Sequence, residues 1–338
     1  MNAGFSPRGN AGSTRRTCSF PAPVPHTFAV HGILRSIAIA AAFGALSAAC
    51  SPNPAPNWQT AVEQAARTAP EARMLVLDLS SGRLLASRRL KEAARTLAAP
   101  GSTLKPLVLY GLVAGGRWNP ERRVACDRKL VVAGHLLACA HPPAPPFDAR
   151  AALAWSCNSY FAQVARTLEP GELGRVLRPT GLLSVTGLTG KQAPSEAVAE
   201  FREPANAEAV QLALLGVEGI RITPLELAAA YRWLALELAA HPGSNAAEVV
   251  RAGLEDSTSF GMARQAGLAG VSVAGKTGTA EGTASTQSHG WFAGFAPAGK
   301  PQLVVVVYLP AGRGTDAARV AAELLAHAPL VHEQPVKP

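Results

Sequence analysis

Charge, aromatic residues and cysteine are all scarce in this 338-residue chain: 16% of positions are charged, 6% are aromatic, and five are cysteine. Low charge beside 48% apolar residues excludes a disordered chain, because this much apolar surface can be buried. No Lys/Arg block and no basic stripe interleaved with aromatics occurs, so the net charge of +9 does not argue for nucleic acid. Four arginines (Arg8, Arg15, Arg16, Arg35) and no acid fall in the first 50 residues, which leaves only +5 for the rest. Only one long apolar run exists, near the N-terminus, and a fully membrane-embedded protein is thereby excluded. Internal repeats, heptads and long low-complexity tracts are missing as well, which removes solenoids and coiled coils. What remains is a globular chain long enough for one large domain or two ordinary ones.

The single apolar run, Ser36 to Ala49, is too short to span a membrane but suits the core of a secretory signal. Cys50 follows small residues, and the Pro-rich SPNPAPN follows Cys50. Residues 1–50 are therefore expected to be a signal peptide or lipoprotein signal with a long basic leader, and 51–57 a linker. The protein is expected to be exported to the periplasm or cell surface, with lipid anchoring at Cys50 and ordinary cleavage after Ala49 as the two processing routes. Any membrane association would run through that N-terminal anchor alone. Export permits disulfides. Cys18 leaves with the signal, Cys50 is the processing candidate and Cys157 sits in a motif described below, so Cys126 and Cys139 remain as a disulfide candidate. They flank LVVAGHLL, whose apolar residues surround a Gly turn, as a cross-strand bridge would require. His135 and His141 lie close enough to raise a metal site instead, but the tight Cys-x-x-Cys spacing of zinc knuckles is absent. The residues favour the disulfide, and no metal is expected.

After the linker, Trp58–Arg67 reads as a helix, Arg73–Leu79 and Arg83–Ser87 as a hairpin across Ser81-Gly82, and the middle of the chain as helices. These are placed at Leu104–Val113, Ala151–Trp155, Ser159–Leu168, Glu208–Leu215 and Pro224–Leu238. Three late strands, Val271–Thr277, Gly290–Phe295 and Gln302–Leu309, precede a final helix over Asp316–His327. Strands at both ends with helices between predict an α/β (α+β) domain whose sheet joins both ends of the fold, with a helical insertion packed on one face.

Three short motifs carry chemistry. In Ser102-Thr103-Leu104-Lys105 the i, i+3 spacing stacks the hydroxyl and the amine on one helical face, at a helix start marked by Pro100-Gly101. A serine becomes a nucleophile when a base takes its proton, and a lysine whose pKa is lowered by burial can be that base. Alone, the motif is also what an ordinary helix cap with a solvated lysine looks like. In Ser156-Cys157-Asn158 a second hydroxyl can relay a proton and an amide can bind a substrate amide. In Lys276-Thr277-Gly278-Thr279 a cation and hydroxyls can bind a carboxylate where Gly permits close approach. The last motif overlaps Gly270-x-x-x-x-Gly275-Lys276-Thr277, which matches a phosphate-binding loop, and Leu75-Val76-Leu77-Asp78 resembles the apolar strand and aspartate that would accompany it. Such a loop needs a strand before its first Gly and a helix from its Lys. The neighbouring FGMARQAGLA and GTAEGTAST supply neither, so a P-loop ATPase is disfavoured.

Together and in this order, the three motifs resemble those of penicillin-binding proteins and class A β-lactamases. The flanks PGSTLKP, SCNSYF, ITPLELAAAY, AGKTGTAE and GWFAGFAP are similar to the transpeptidase domain of high-molecular-weight penicillin-binding proteins, over about Glu71 to His327 within a domain placed at 58–335. The resemblance implies an antiparallel five-stranded sheet flanked by helices plus an all-helical subdomain. It implies an acyl-enzyme on Ser102 formed from a D-Ala-D-Ala stem peptide, Lys105 as base, Ser156 as proton relay and Asn158 on the peptide amide. Lys276, Thr277 and Gly278 would hold the terminal carboxylate of substrate or β-lactam, and the backbone N–H groups of Ser102 and Thr279 would form the oxyanion hole. Cys126 and Cys139 ahead of the second motif also resemble a feature of some members. No cofactor is implied. The partners implied are peptidoglycan stem peptides and β-lactams, with a separate glycosyltransferase because no accessory domain is expected here. A D,D-carboxypeptidase, a serine β-lactamase and a β-lactam sensor without turnover are the alternatives on this fold. For a class A β-lactamase, Glu169 and Glu172 would be the acidic pair, but Glu169-Pro-Gly-Glu-Leu173 follows Asn158 too closely, and both glutamates are expected to be helix-end surface charges.

Overall fold

A computed structural model describes residues 57–190, 195–281 and 287–329. The expected signal, its processing site at Cys50 and nearly all of the linker lie outside the described residues. In chain order the fold comprises α1 (Trp58–Ala65), β1 (Arg73–Asp78), β2 (Leu84–Arg88), α2 (Leu90–Ala93), α3 (Lys105–Ala114), β3 (Lys129–Val132) and β4 (His135–Ala138). There follow α4 (Ala149–Ala154), α5 (Asn158–Ala165), α6 (Glu172–Leu177), β5 (Glu200–Phe201), α7 (Ala207–Leu214), β6 (Ile220–Arg221), α8 (Pro224–Ala240) and α9 (Asn245–Ser259). The chain closes with β7 (Ala274–Glu281), β8 (Ser288–Ala296), β9 (Leu303–Leu309) and α10 (Gly314–Ala326). Among the described residues no helix is long and apolar enough to cross a membrane.

The main sheet is antiparallel with strand order β2-β1-β9-β8-β7. The last strand in sequence, β9, is thus the central one, and all seven of its residues are buried. Alternation along the strands explains why LVVVVYL is apolar throughout, since both faces of the sheet are covered. Met74, Val76, Phe292, Val305 and Val307 face α1 and α10. Leu75, Leu77, Trp291, Val304 and Val306 face the helical insertion.

The insertion is not all-helical. It carries two small antiparallel pairs, β3–β4 and β5–β6. The β3–β4 hairpin turns through Ala133 and Gly134, both at positive φ, which suits the right-handed twist of a two-residue hairpin loop. Helix α9 escaped the sequence reading because its buried face is built from Ala246, Ala247, Val250, Gly253, Leu254, Ser257 and Thr258, mostly small residues with little hydropathic contrast. That smallness is functional packing: a Cβ at Gly253 would lie 2.8 Å from the Leu153 side chain on α4 and 3.1 Å from the Arg150 carbonyl. Replacing Gly253 by Val is therefore expected to overpack the α4–α9 contact and cost about 1–3 kcal/mol. Urea denaturation of the two proteins measures this, and an unchanged midpoint would show that the helices separate freely.

Candidate active site

The turn Pro100-Gly101 leads into a short 3-10 segment, Gly101–Leu104, which continues into α3. Ser102 lies at the partly exposed start of this segment, and Lys105, one turn later, is completely buried. The segment is tied down from behind. The Ala99 carbonyl accepts from Trp291 Nε1–H (2.9 Å) and from His289 Nε2 (2.8 Å), both on β8. A carbonyl partner requires the proton on Nε2, and burial holds the His289 pKa below its usual value, so the ring is a neutral donor. Tyr231 Oη–H, from α8, donates to the Thr103 carbonyl at 3.0 Å. None of His289, Trp291 or Tyr231 was picked out from the sequence as a site residue. The available signal was a buried aromatic residue whose polar tip needs a partner.

Four of the expected site residues meet at one hydroxyl and one amide. Lys105 Nζ donates to Asn158 Oδ1 (2.7 Å), to the Ser156 carbonyl (2.9 Å) and, at 3.4 Å, to Ser156 Oγ. Lys276 Nζ donates to the same Ser156 Oγ at 2.8 Å and to the Thr277 carbonyl at 3.0 Å. Asn158 is turned by its amide, which donates to the carbonyls of Leu137 and Ala138 at the end of β4. Ser156 adopts φ 56°, a left-handed conformation that is costly for a residue with a side chain and is concentrated at functional sites. The Ser102 hydroxyl forms no hydrogen bond among the described residues, although it shares a helical face with Lys105. Catalytic contacts of this kind often tighten only when substrate is bound.

Both amines are fully buried, and among the described residues neither pairs with a carboxylate. Burial pushes the Lys105 pKa down to about 8, opposed by the nearby Cys139, Cys157 and Cys126. Burial, and next the charge of Lys105, holds Lys276 well below its usual value. Burial thus favours the neutral form of both amines, and an anion entering the cleft would favour the charged form of Lys276.

Strand β7 is the edge of the sheet and carries Lys276, Thr277, Gly278 and Thr279 past the Ser102 turn. A Cβ at Gly278 would lie 2.4 Å from the Pro100 carbonyl, and one at Gly101 would lie 2.9 Å from the Thr279 nitrogen. Glycine at these two positions is what lets strand and turn touch. Thr277 is buried, while Thr279 is exposed and its Oγ1 accepts from Gly314 N–H (2.9 Å). Lys276 is held in the β7–β8 ladder opposite Ala293, so its segment is a strand and not a phosphate-cradling loop.

Glu169 and Glu172 lie at the far end of α3, where both pair with Arg117 at 3.1 and 3.2 Å. Ten residues of helix separate Arg117 from Lys105, about 15 Å. Contrary to the sequence expectation, Glu172 is buried and not a surface charge, because its carboxylate also accepts the Glu169 N–H at the start of α6. Cys126 and Cys139, the disulfide candidate, are free thiols with their sulfurs 3.5 Å apart.

Residues 72–328 match the family described as the penicillin binding protein transpeptidase domain. The apo transpeptidase domain of Burkholderia pseudomallei penicillin-binding protein 3 superposes with a TM-score of 0.68 at 20% identity, over 80% of this chain and 95% of that one. Pseudomonas aeruginosa PBP2 in complex with WCK 5153 gives 0.67 at 21% identity, over 79% and 76%. A peptidoglycan glycosyltransferase from Burkholderia ambifaria gives 0.66 at 20%, over 79% and 90%. At such identities the likeness is one of fold.

The shared acceptor at Ala99 generates a prediction. Trp291→Phe leaves His289 as donor and is expected to cost about 1 kcal/mol, whereas Trp291→Phe with His289→Leu strands a buried carbonyl and costs about 1–3 kcal/mol more. A double-mutant cycle by urea denaturation checks this, and purely additive losses would count against the shared bond.

Proposed function

The chain belongs to the penicillin-binding protein transpeptidase domain family, and from that premise we propose that it is an exported serine D,D-transpeptidase acting on D-Ala-D-Ala stem peptides through an acyl-enzyme on Ser102. The observation that carries this reading is the convergence of Lys105 and Lys276 on Ser156 Oγ, with Asn158 Oδ1 accepting from Lys105, beside the Ser102 turn.

In this mechanism neutral Lys105 takes the Ser102 proton as Oγ attacks the carbonyl of the penultimate D-Ala. Negative charge develops on the carbonyl oxygen, facing the N–H groups of Ser102 and Thr279. A preorganised donor of this type is worth roughly 10²–10³ in rate. The proton passes from Lys105 through Ser156 Oγ to the departing D-Ala nitrogen, and the C–N bond breaks. Lys276 and the Thr277 and Thr279 hydroxyls serve the terminal carboxylate, whose arrival offsets the burial cost of the ammonium. An extended peptide can lie along β7, because an edge strand offers unpaired backbone groups. The amine of a second stem peptide then takes the acyl group, and water in that role would make the same site a D,D-carboxypeptidase. The structure favours both over a β-lactamase. The acidic pair that a class A β-lactamase would use, Glu169 and Glu172, is held by Arg117 beyond the other end of α3.

Fluorescent penicillin should therefore label Ser102, and mass spectrometry should show the acyl group persisting for hours. Release within seconds would instead identify a β-lactamase. Ser102→Ala should abolish labelling, and Lys105→Ala should slow it roughly 10²–10⁴-fold. Because the base must be neutral and its pKa is lowered to about 8, the acylation rate should rise with pH through about 8 and then level off. A rate that falls with pH in that interval would remove Lys105 from the role of base. Incubation with a pentapeptide, alone and with an amine acceptor, separates hydrolysis from transpeptidation by the product formed.

A further inference from the structure

Directly beneath the second motif lies a cluster with no part in this acyl-transfer scheme. The ligand atoms of Cys126, Cys139, His141 and Cys157 lie within 4.8 Å of one another, and all but Cys126 are buried. We propose that these four side chains form a closed, structural zinc site of Cys3His type, and that its occupancy holds Asn158 in register with Lys105. The first part stands on the cluster itself, and the link to Lys105 rests on the functional reading above.

The spacing is that of a coordination shell. Zinc binds thiolate at about 2.3 Å and imidazole at about 2.0 Å, so tetrahedral edges measure about 3.8 Å between sulfurs and about 3.5 Å from sulfur to nitrogen. Cys126 Sγ is 3.5 Å from Cys139 Sγ and 3.2 Å from His141 Nε2. His141 is already oriented for ligation: Nδ1 lies 2.7 Å from the Pro142 carbonyl and must carry the proton, which leaves the Nε2 lone pair facing the sulfurs. Asn158 N–H points at Cys139 Sγ (3.2 Å), and the Ser159 hydroxyl lies 3.8 Å from Cys126 Sγ. A backbone N–H like that of Asn158 is a usual outer partner of a metal thiolate, and the Ser159 hydroxyl, which accepts from the free Cys126 thiol, would turn to donate once that thiol is ionised.

A Cys126–Cys139 disulfide explains less. It would account for two of the four groups and leave the buried Nε2 lone pair and the Cys157 thiol facing a bridge that offers neither a proton nor a charge. Three thiolates and one neutral imidazole around Zn²⁺ carry a net charge of −1, and the buried amine of Lys105, bonded to Ser156 and Asn158 on either side of Cys157, lies beside that charge. Loading releases three thiol protons to solvent. Cys126, partly exposed, marks the way in.

The site would clamp three pieces of chain that otherwise touch only through a few bonds: the entry to β3, the exit from β4, and the Ser156–Asn158 turn. Since the carbonyls at the end of β4 receive the Asn158 amide, and Asn158 Oδ1 receives Lys105, the metal acts on chemistry by positioning and does not touch substrate.

The test uses the full chain purified under reducing conditions without chelator. Elemental analysis should find about one zinc per chain, and replacement by cobalt should give the visible bands of a tetrahedral site with near-ultraviolet thiolate charge transfer. Cys126→Ser and His141→Ala should each lose the metal. Chelator-stripped protein that remains folded by circular dichroism should be acylated by penicillin about ten- to a hundredfold more slowly and recover on adding zinc. A folded, reduced chain that takes up neither zinc nor cobalt would overturn the site, and so would a Cys126–Cys139 disulfide in protein isolated from its host compartment. Unchanged acylation after stripping would overturn the positioning role. Metal retained by a chain that penicillin never labels would leave the site standing and sink the transpeptidase reading.

Discussion

Two buried amines directed at one hydroxyl, with no carboxylate partner among the described residues, define the economy of this molecule. A lysine taken out of water without a counter-charge is normally intolerable, and here two are directed at the same hydroxyl. What makes the arrangement stable is a set of neutral acceptors fixed in advance: the Ser156 and Thr277 carbonyls, Ser156 Oγ and Asn158 Oδ1. The Phe161 ring, 5.1 Å from Lys105 Nζ, adds its negative face. These acceptors stabilise the amines just enough to keep them buried, and their protonation remains sensitive to whatever enters the cleft. Reactivity is the residue of incomplete compensation.

Holding those acceptors still falls to contacts that have no chemistry of their own. The sheet brings β7 against the Ser102 turn with nothing but glycine between them, and β8 pins that turn through Ala99. On the other wall the β3–β4 hairpin carries the amide of Asn158. The two walls belong to different parts of the chain, one from the sheet and one from the insertion. Their agreement depends on α3, which begins at Lys105 just after the Ser102 turn and runs back into the shared core.

Much of this was legible in the amino-acid sequence, for definite physical reasons. The alternation of β-branched residues in VSVAGKTGT and LVVVVYL marked strands, though β7 begins three residues later than expected because Val271 and Val273 pack against Ala263 and Ala266 as a loop. Ser102 and Lys105 could be stacked from their spacing alone. That Ser156 and Asn158 share a site with Lys105 was legible only through the resemblance of the motifs, since Ser156 lies 51 positions beyond Lys105 and no local periodicity relates them. Helix α9 stayed hidden behind its small residues. Trp291 reads as an ordinary strand position and His289 falls just outside the expected strand, because a side chain bound to a distant carbonyl leaves no periodic trace. In the sequence, Cys126 and Cys139 with His135 and His141 raise a metal site that the want of a short knuckle sets aside; that Cys157 completes the cluster and His135 does not is a matter of packing, which leaves no trace in the spacing.

The strand order has a further consequence for how the chain is made. Synthesis proceeds from the N-terminus, so β1 and β2 emerge first and form a hairpin with one edge bare. Their permanent neighbour, β9, is finished only after some two hundred more residues have left the ribosome. The middle of the sheet is consequently the last part to exist, and the scaffold cannot be completed outward from a finished core. A nonsense codon anywhere before residue 303 removes the keel and not a plank, leaving β1 and β8 without the strand that joins them.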